Sequence, residues 1–151
     1  MKVRKAQSKD LPALSVLFDG YRQFYHQPAD LAGAQAFLQQ RLKQQESVVF
    51  VAEDDAGLLG FTQLFPSFSS VSMQRLWILN DLFVADHARQ RGVAKALMNQ
   101  ARDWAESTGS KGIILETDWD NTQAQALYQQ LGYEQQNSTY HYFLPARAAD
   151  D

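Results

Sequence analysis

Apolar positions recur along the chain with two different periods, and each change of period marks an element. Residues 3–6 read as a short first strand. Leu11, Leu14, Leu17, Phe18 and Tyr21 then share one helical stripe, which Ser8 or Asp10 can cap. The pattern breaks over residues 20–28, and Asp30 can open a second helix carrying Leu31, Ala34, Phe37, Leu38 and Leu42. Residues 47–53 are apolar and β-branched, Asp54-Asp55-Ala56-Gly57 is turn chemistry, and residues 58–65 resume as a strand. That order predicts a hairpin with a loop longer than the tightest type. The Ser-rich residues 66–72 read as a loop.

Residues 74–84 are apolar on both alternating faces, which predicts a central strand covered on both sides. Val93, Ala94, Leu97, Met98, Ala101, Trp104 and Ala105 follow at helical spacing. Gly109 ends that helix, and residues 112–117 give another buried strand. Strand, crossover helix and strand make a right-handed βαβ unit with its two strands parallel. Asn121 or Thr122 caps a last helix ending at Gly132, residues 134–144 return as a strand, and residues 147–151 read as a frayed tail. The expected class is α/β in three layers: a mixed central sheet with a parallel central pair, flanked by helices. At 151 residues the chain fits a single domain spanning 1–151.

Composition narrows the function classes. Hydrophobic residues make up 45% and charged residues 21%, the balance of an ordinary globular domain. A net charge of −3 without a basic stripe argues against nucleic acid as a partner. The absence of cysteine excludes disulfides, thiolate metal sites and a cysteine acyl-enzyme. His26, His87 and His141 lack metal-ligand spacing, so no metal is expected. No apolar run reaches membrane-spanning length and the first residues are charged, so no membrane partner is expected and the location read from the sequence is cytoplasmic.

The most informative stretch is the turn between the central strand and its helix. A helix that begins directly after a strand offers unpaired N–H groups and the positive end of its dipole to an anion. Gly92 lets the backbone approach that anion, Ala94 leaves room, and Arg89, Arg91 and Lys95 add cationic donors. The turn is read as a cradle for a pyrophosphate. It lacks the three glycines of the dinucleotide fingerprint and the Gly-Lys-Ser/Thr of the nucleotide phosphate loop.

The Arg89-Gln90-Arg91-Gly92-Val93-Ala94 turn, following a strand that ends Leu82-Phe83-Val84, strongly resembles the acetyl-CoA-binding motif of the GNAT superfamily of N-acetyltransferases. A second signature of that family is matched by Asn121-Thr122-Gln123-Ala124-Gln125-Ala126-Leu127-Tyr128, ending at Gly132-Tyr133. The resemblance runs from Val3 to about Leu144. It implies the GNAT fold, acetyl-CoA as cosubstrate and an amine as acceptor. It implies further that Arg89 to Lys95 hold the pyrophosphate, that backbone groups of Leu82, Phe83 and Val84 hold the pantetheine and carbonyl, and that Asn121 contacts the coenzyme arm. Tyr128 would then protonate the leaving thiolate. From the residues alone Tyr128 sits on an apolar stripe with Ala124, Leu127 and Leu131, so packing also accounts for it.

Acetyl transfer requires the amine to lose a proton. An amine with a pKa of about 10.4 is only about 0.1% neutral near pH 7.4, a penalty of roughly 4 kcal/mol. Spermidine/spermine acetyltransferases, which the strand end resembles, carry Glu where this chain has Asn80. The Asn80-to-Val84 segment is also similar to that of the histone and polyamine acetyltransferases. Strand alternation turns Asp81 away from the face that Asn80 occupies. Glu116, Asp118 and Asp120 can act through water or can simply be solvated, so the base stays unassigned. Tyr21, Phe24, Tyr25 and Trp119, with Glu53, Asp118 and Asp120, suit a cationic acceptor. The substrate candidates are therefore Tyr21, Tyr25, Asn80, Asp81 and Trp119. A small primary amine, polyamine or amino-acid-like, leads over a protein amine, and an acyl-CoA-binding module without turnover is the competing reading. The oligomeric state is open, with a homodimer compatible.

Overall fold

The computed structural model describes residues 1–147, so most of the expected tail lies outside the described residues. The chain forms two compact units, Met1–Glu116 and Thr117–Asp151. The first is a five-stranded sheet in the order β1 (Lys2–Lys5), β2 (Val48–Asp54), β3 (Gly57–Ser69), β4 (Gln74–Val84), β5 (Ile113–Ile114). Neighbours are antiparallel except β4 and β5, which are parallel as the crossover pattern requires. Helices α1 (Leu11–Phe24) and α2 (Leu31–Lys43) precede β2, and α3 (Val93–Ser107) connects β4 to β5.

The period-two pattern of the strands decides which helices cover which face. Val49, Val51 and Phe61 pack with Leu14 and Phe18 of α1 and Ala34 and Leu38 of α2. Phe50, between two of them, turns to the other face and meets Trp104 of α3 edge-on at 5.9 Å. Leu14, Leu38 and Leu97 are fully buried, so truncating any one to Ala costs about 2–5 kcal/mol. Asp30 caps α2 as expected, accepting the Gly33 N–H at 2.9 Å. The start of α1 differs: Ser8–Asp10 is a turn of 3-10 helix, and Asp10 accepts from the Gln7 N–H at 2.7 Å and from Arg4 instead of capping the helix proper.

Several expected boundaries move, each for a physical reason. The β2–β3 hairpin is tight, with Asp54 paired to Gly57 across two residues, and the irregularity falls at Ala52/Glu53 within the ladder. Helix α1 continues through Gly20 to Phe24, because tertiary packing outweighs the ~1 kcal/mol propensity cost of one glycine. The Ser-rich stretch is mostly strand: β3 runs to Ser69 and pairs with β4 as far as Ser69↔Gln74. β2 ends opposite Leu64, so this outer part of β3 is an edge, where Pro66 needs no second ladder partner. β5 is shorter than expected, and Ile114 is exposed rather than buried.

The second unit contains α4 (Thr122–Gln130), capped by Asn121, whose Oδ1 accepts the Ala124 N–H at 3.2 Å. Residues 134–144 form no strand, against the expectation from their alternation. Alternation supplies a face, but a strand needs a ladder partner, and none of these residues has one among the described residues.

Candidate active site

The central strand carries one residue too many. Gln63 pairs with Asp81 and Leu64 with Leu79, so Asn80 is an extra residue bulged out of β4. Its effect on side-chain direction is visible six residues apart. Trp77 packs on Trp104 of α3 at 5.7 Å, whereas Phe83 packs on Tyr21 of α1 at 6.0 Å. Strict alternation would put residues 77, 81 and 83 on one face. The bulge turns Asp81 and Phe83 over to the α1 face. That overturns the expectation that Asp81 points away from Asn80: both side chains line one pocket, and Asn80 Nδ2 donates to Asp81 Oδ1 at 3.0 Å.

This pocket, about 390 Å3, lies between α1, α2 and the β3–β4 ladder. Asp81 is only 4% exposed. Gln63, itself fully buried, donates from Nε2 to Asp81 Oδ2, and the Tyr21 hydroxyl also hydrogen-bonds the carboxyl. Tyr21 donates to the carbonyl of Asn80 at 3.3 Å as well. Burial pushes the Asp81 carboxyl above the usual carboxylate range, and the hydrogen bonds from Gln63, Tyr21 and Asn80 pull it part of the way back. A buried carboxyl in a cleft with a raised pKa is a candidate for proton transfer. Tyr25 meets Tyr21 edge-on at 5.2 Å and is half exposed, but it does not itself line the pocket.

On its other side β4 is paired only in part among the described residues. Pairing with β5 is confined to Trp77↔Ile113 and Ile78↔Ile114, so from Leu79 to Val84 no described strand completes the ladder. Leu82, Phe83 and Val84 lie in this stretch, paired to β3 at Thr62, Phe61 and Gly60. Alternate backbone N–H and C=O groups of a strand so exposed need a partner other than a strand.

Beyond Val84, a 3-10 turn at Asp86–Ala88 leads to the predicted cradle. Gly92 has φ 75°, and a Cβ placed there would meet nothing within 4 Å. The glycine is therefore required by backbone direction, and the space above it is free for an anion. Gln90 shares the left-handed conformation with φ 62°, a feature the sequence did not signal. The first turn of α3, Val93 to Lys95, leaves its N–H groups without intrahelical acceptors. Arg89 pairs with Asp86 and Arg91 with Asp54, both at 3.2 Å; the first pair is exposed and the second partly so, and surface pairs of this kind are weak enough to yield to a phosphate. Lys95 is exposed.

One residue missed in the sequence sets the cradle's position. A Cβ on Gly60 would lie 2.7 Å from the Phe83 carbonyl and 3.3 Å from Val93, so glycine is what lets β3 pair this closely with the end of β4 while α3 starts beside it. In the second unit, Asn121 is occupied in capping α4, Tyr128 is half-buried with its ring 5.9 Å from that of Tyr133, and Trp119 is 89% exposed. The stripe Ala124, Leu127, Tyr128 and Leu131 is half-buried throughout.

A mixed sheet whose parallel pair is only two residues long leads, through the end of β4, to a helix start whose free N–H groups suit a phosphate-bearing ligand. The sequence profile of the Acetyltransferase (GNAT) family matches residues 14–133, and the chain belongs to that family. It is 48% identical over 144 residues to the uncharacterized N-acetyltransferase YhfO of Bacillus subtilis, covering 95% of this chain and 97% of that one. A probable acetyltransferase of Haemophilus influenzae is 38% identical over 117 residues, 77% of this chain and 80% of that one. A crystal structure of a probable acetyltransferase superposes with a TM-score of 0.92 at 38% identity, covering 98% and 99% of the two chains. The fold is the GNAT fold, and the protein is an acetyl-CoA-dependent N-acetyltransferase. No helix among the described residues is long and apolar enough to cross a membrane.

Proposed function

We propose that the protein acetylates a small primary amine, amino-acid-like or polyamine, bound in the α1–α2/β3–β4 pocket, with Asp81 accepting the amine proton. The observation that carries this is the bulge at Asn80. It delivers a buried carboxyl to the pocket on the same strand whose other edge is open to the coenzyme. Both units act as one acetyltransferase domain, a reading supported by the family match that runs across them.

The residues fit acetyl-CoA. The free N–H groups at the start of α3, with Arg89, Gln90, Arg91, Gly92 and Lys95, would hold its pyrophosphate. Val93 and Ala94 supply N–H groups there, and the open edge at Leu82, Phe83 and Val84 would hold the pantetheine and the carbonyl. Acetyl-CoA supplies the activated acetyl thioester. Asp81, ionised, takes a proton from the ammonium and frees the nitrogen lone pair. Its raised pKa makes it a better base than an exposed carboxylate. Tyr21, Gln63 and Asn80 fix the carboxyl in place. Tyr128 is assigned as proton donor to the departing sulfur, and Asn121 as a coenzyme contact, on the signature they sit in. Transfer is direct, since the chain has no cysteine and carries its proton acceptor beside the amine pocket. Tyr25 and Trp119 are assigned to the acceptor side, and the cation-friendly aromatics Tyr21 and Tyr25 support a protonated acceptor.

Release of free coenzyme thiol with a panel of amines tests this. Turnover with a small amine supports it. Thiol release that no amine of the panel accelerates, with tight acetyl-CoA binding, contradicts it.

A further inference from the structure

The pocket holds a positive charge that proton removal does not use. Arg22 lines it from α1. The Arg22 Nη1 donates to Asp19 Oδ1 at 2.8 Å and to the Pro28 carbonyl at 3.2 Å. Asp19 is 6% exposed and is itself fixed by the Asp30 N–H at 3.1 and 3.2 Å and by Gln23 at 3.2 Å. One corner of the guanidinium is thus anchored. The Nε and Nη2 donors, which form one edge of the fork, engage no group among the described residues. That edge is the one shaped to grip a carboxylate with parallel N–H···O bonds.

The pocket also wants an N–H donor. Gln63 gives Nε2 to Asp81, and its Oε1 is buried with no partner among the described residues. An unsatisfied buried acceptor is costly, and a small turn of the Gln63 side chain toward the cavity would let a ligand N–H satisfy it. Asp81, beside it, attracts the same positive end of a ligand. Asp30 also lines the cavity, with its Oδ1 committed to the Gly33 N–H, so the Asp81 side asks for a cation and the free edge of Arg22 for an anion; Phe18, Phe37 and Phe65 supply apolar wall.

Resting on the amine-acetyltransferase reading above, we infer that the acceptor is a zwitterion, an α-amino acid or similarly compact amino-carboxylate with an apolar side chain. Its amine lies toward Asp81 and Gln63, and Arg22 binds its carboxylate. A polyamine is disfavoured, because its second ammonium would face the guanidinium. The volume of about 390 Å3 is at the small end of the ~300–1,000 Å3 found for ligand pockets, which fits a single residue.

The test compares phenylalanine (each enantiomer), phenylalaninamide, 2-phenylethylamine and spermidine as acceptors for the full-length wild-type protein. The carboxylate raises the pKa of the neighbouring amine, so intrinsic reactivity at neutral pH favours the amide and works against the inference. The expected result is that one enantiomer of the acid exceeds the amide and the amine by about ten-fold or more in kcat/KM, chiefly through KM, as a charge-assisted pair would give. In Arg22→Gln the acid-to-amide ratio should collapse to within about two-fold of unity, and Arg22→Lys should restore part of it. Turnover that favours the amide, the amine or spermidine in the wild type overturns the zwitterion and leaves the acetyltransferase reading standing. A ratio unchanged in a folded Arg22→Gln removes Arg22 from carboxylate binding. No turnover with any of the four overturns both this inference and the small-amine reading.

Discussion

Gln63 donates to Asp81 across the β3–β4 ladder where the bulge at Asn80 breaks its register. The pair is closed to solvent, and each member is left with a demand that the folded protein does not meet. Gln63 has an unpartnered Oε1, and Asp81 has a charge disfavoured by burial. Function and stability are therefore opposed at this position. A carboxyl whose folded pKa is raised contributes most to stability when protonated, and that contribution is lost as pH rises through the folded value. Asp81→Asn removes the charge, and Gln63 can turn its Oε1 toward the new amide. The variant should melt at a higher temperature than wild type near pH 7, with the difference shrinking toward pH 4. Thermal unfolding followed by circular dichroism at both pH values measures this.

The opposite sign holds at the sheet's first edge. Arg4 grips Asp10 at 2.7 and 2.8 Å and Glu53 at 2.8 and 3.0 Å. Hydrogen bonding to Arg4 holds the Asp10 carboxyl below its usual range. Its stabilisation is present above the unfolded value near pH 4 and is lost as pH falls through the lower folded value. Arg4→Ala should cost about 2 kcal/mol at pH 7, less than the ~3–5 of a fully buried pair because Arg4 retains some solvent contact. Denaturant unfolding at pH 7 and pH 3 should show the deficit shrinking at the lower pH.

At the cradle, Gly92→Asp places a carboxylate in the open space where the pyrophosphate is proposed to sit. The left-handed φ of 75° costs a non-glycine residue about 1 kcal/mol, so the fold survives. Calorimetric titration should find micromolar acetyl-CoA affinity in the wild type and none measurable in the variant.

Tyr128→Phe separates packing from chemistry. The ring and its contact with Tyr133 persist, and only the hydroxyl is lost. The assigned proton donor predicts a fall in kcat of about 10²-fold with coenzyme affinity nearly unchanged. Steady-state kinetics within a few-fold of wild type would return Tyr128 to the apolar stripe of α4.

What was legible in the sequence follows from which interactions are local. The Asp30 and Asn121 caps, the glycine at residue 92 and the period of α3 each depend on residues within a few positions, and each was readable. The parallel β4–β5 pair followed from the crossover rule. The bulge was not readable, because nothing in Leu79-Asn80-Asp81 signals that β3 skips a residue opposite it. One unseen residue reversed the face assigned to Asp81 and hid its place in the pocket. Arg22, Gly60 and the Arg4 ion pairs were equally silent, since their partners lie on other elements. Residues 134–144 show the converse: alternation without a ladder did not make a strand.

The central claim is that Asp81 takes the proton from the amine. It is tested most directly by the pH dependence of kcat/KM, measured by thiol release with the best acceptor, for wild type and Asp81→Asn. The wild type should lose activity on an acidic limb lying above the ordinary carboxylate range, where Asp81 protonates. The variant should lose about 10²-fold or more at neutral pH, and that limb with it. A folded Asp81→Asn that keeps wild-type activity and the same acidic limb would contradict the account.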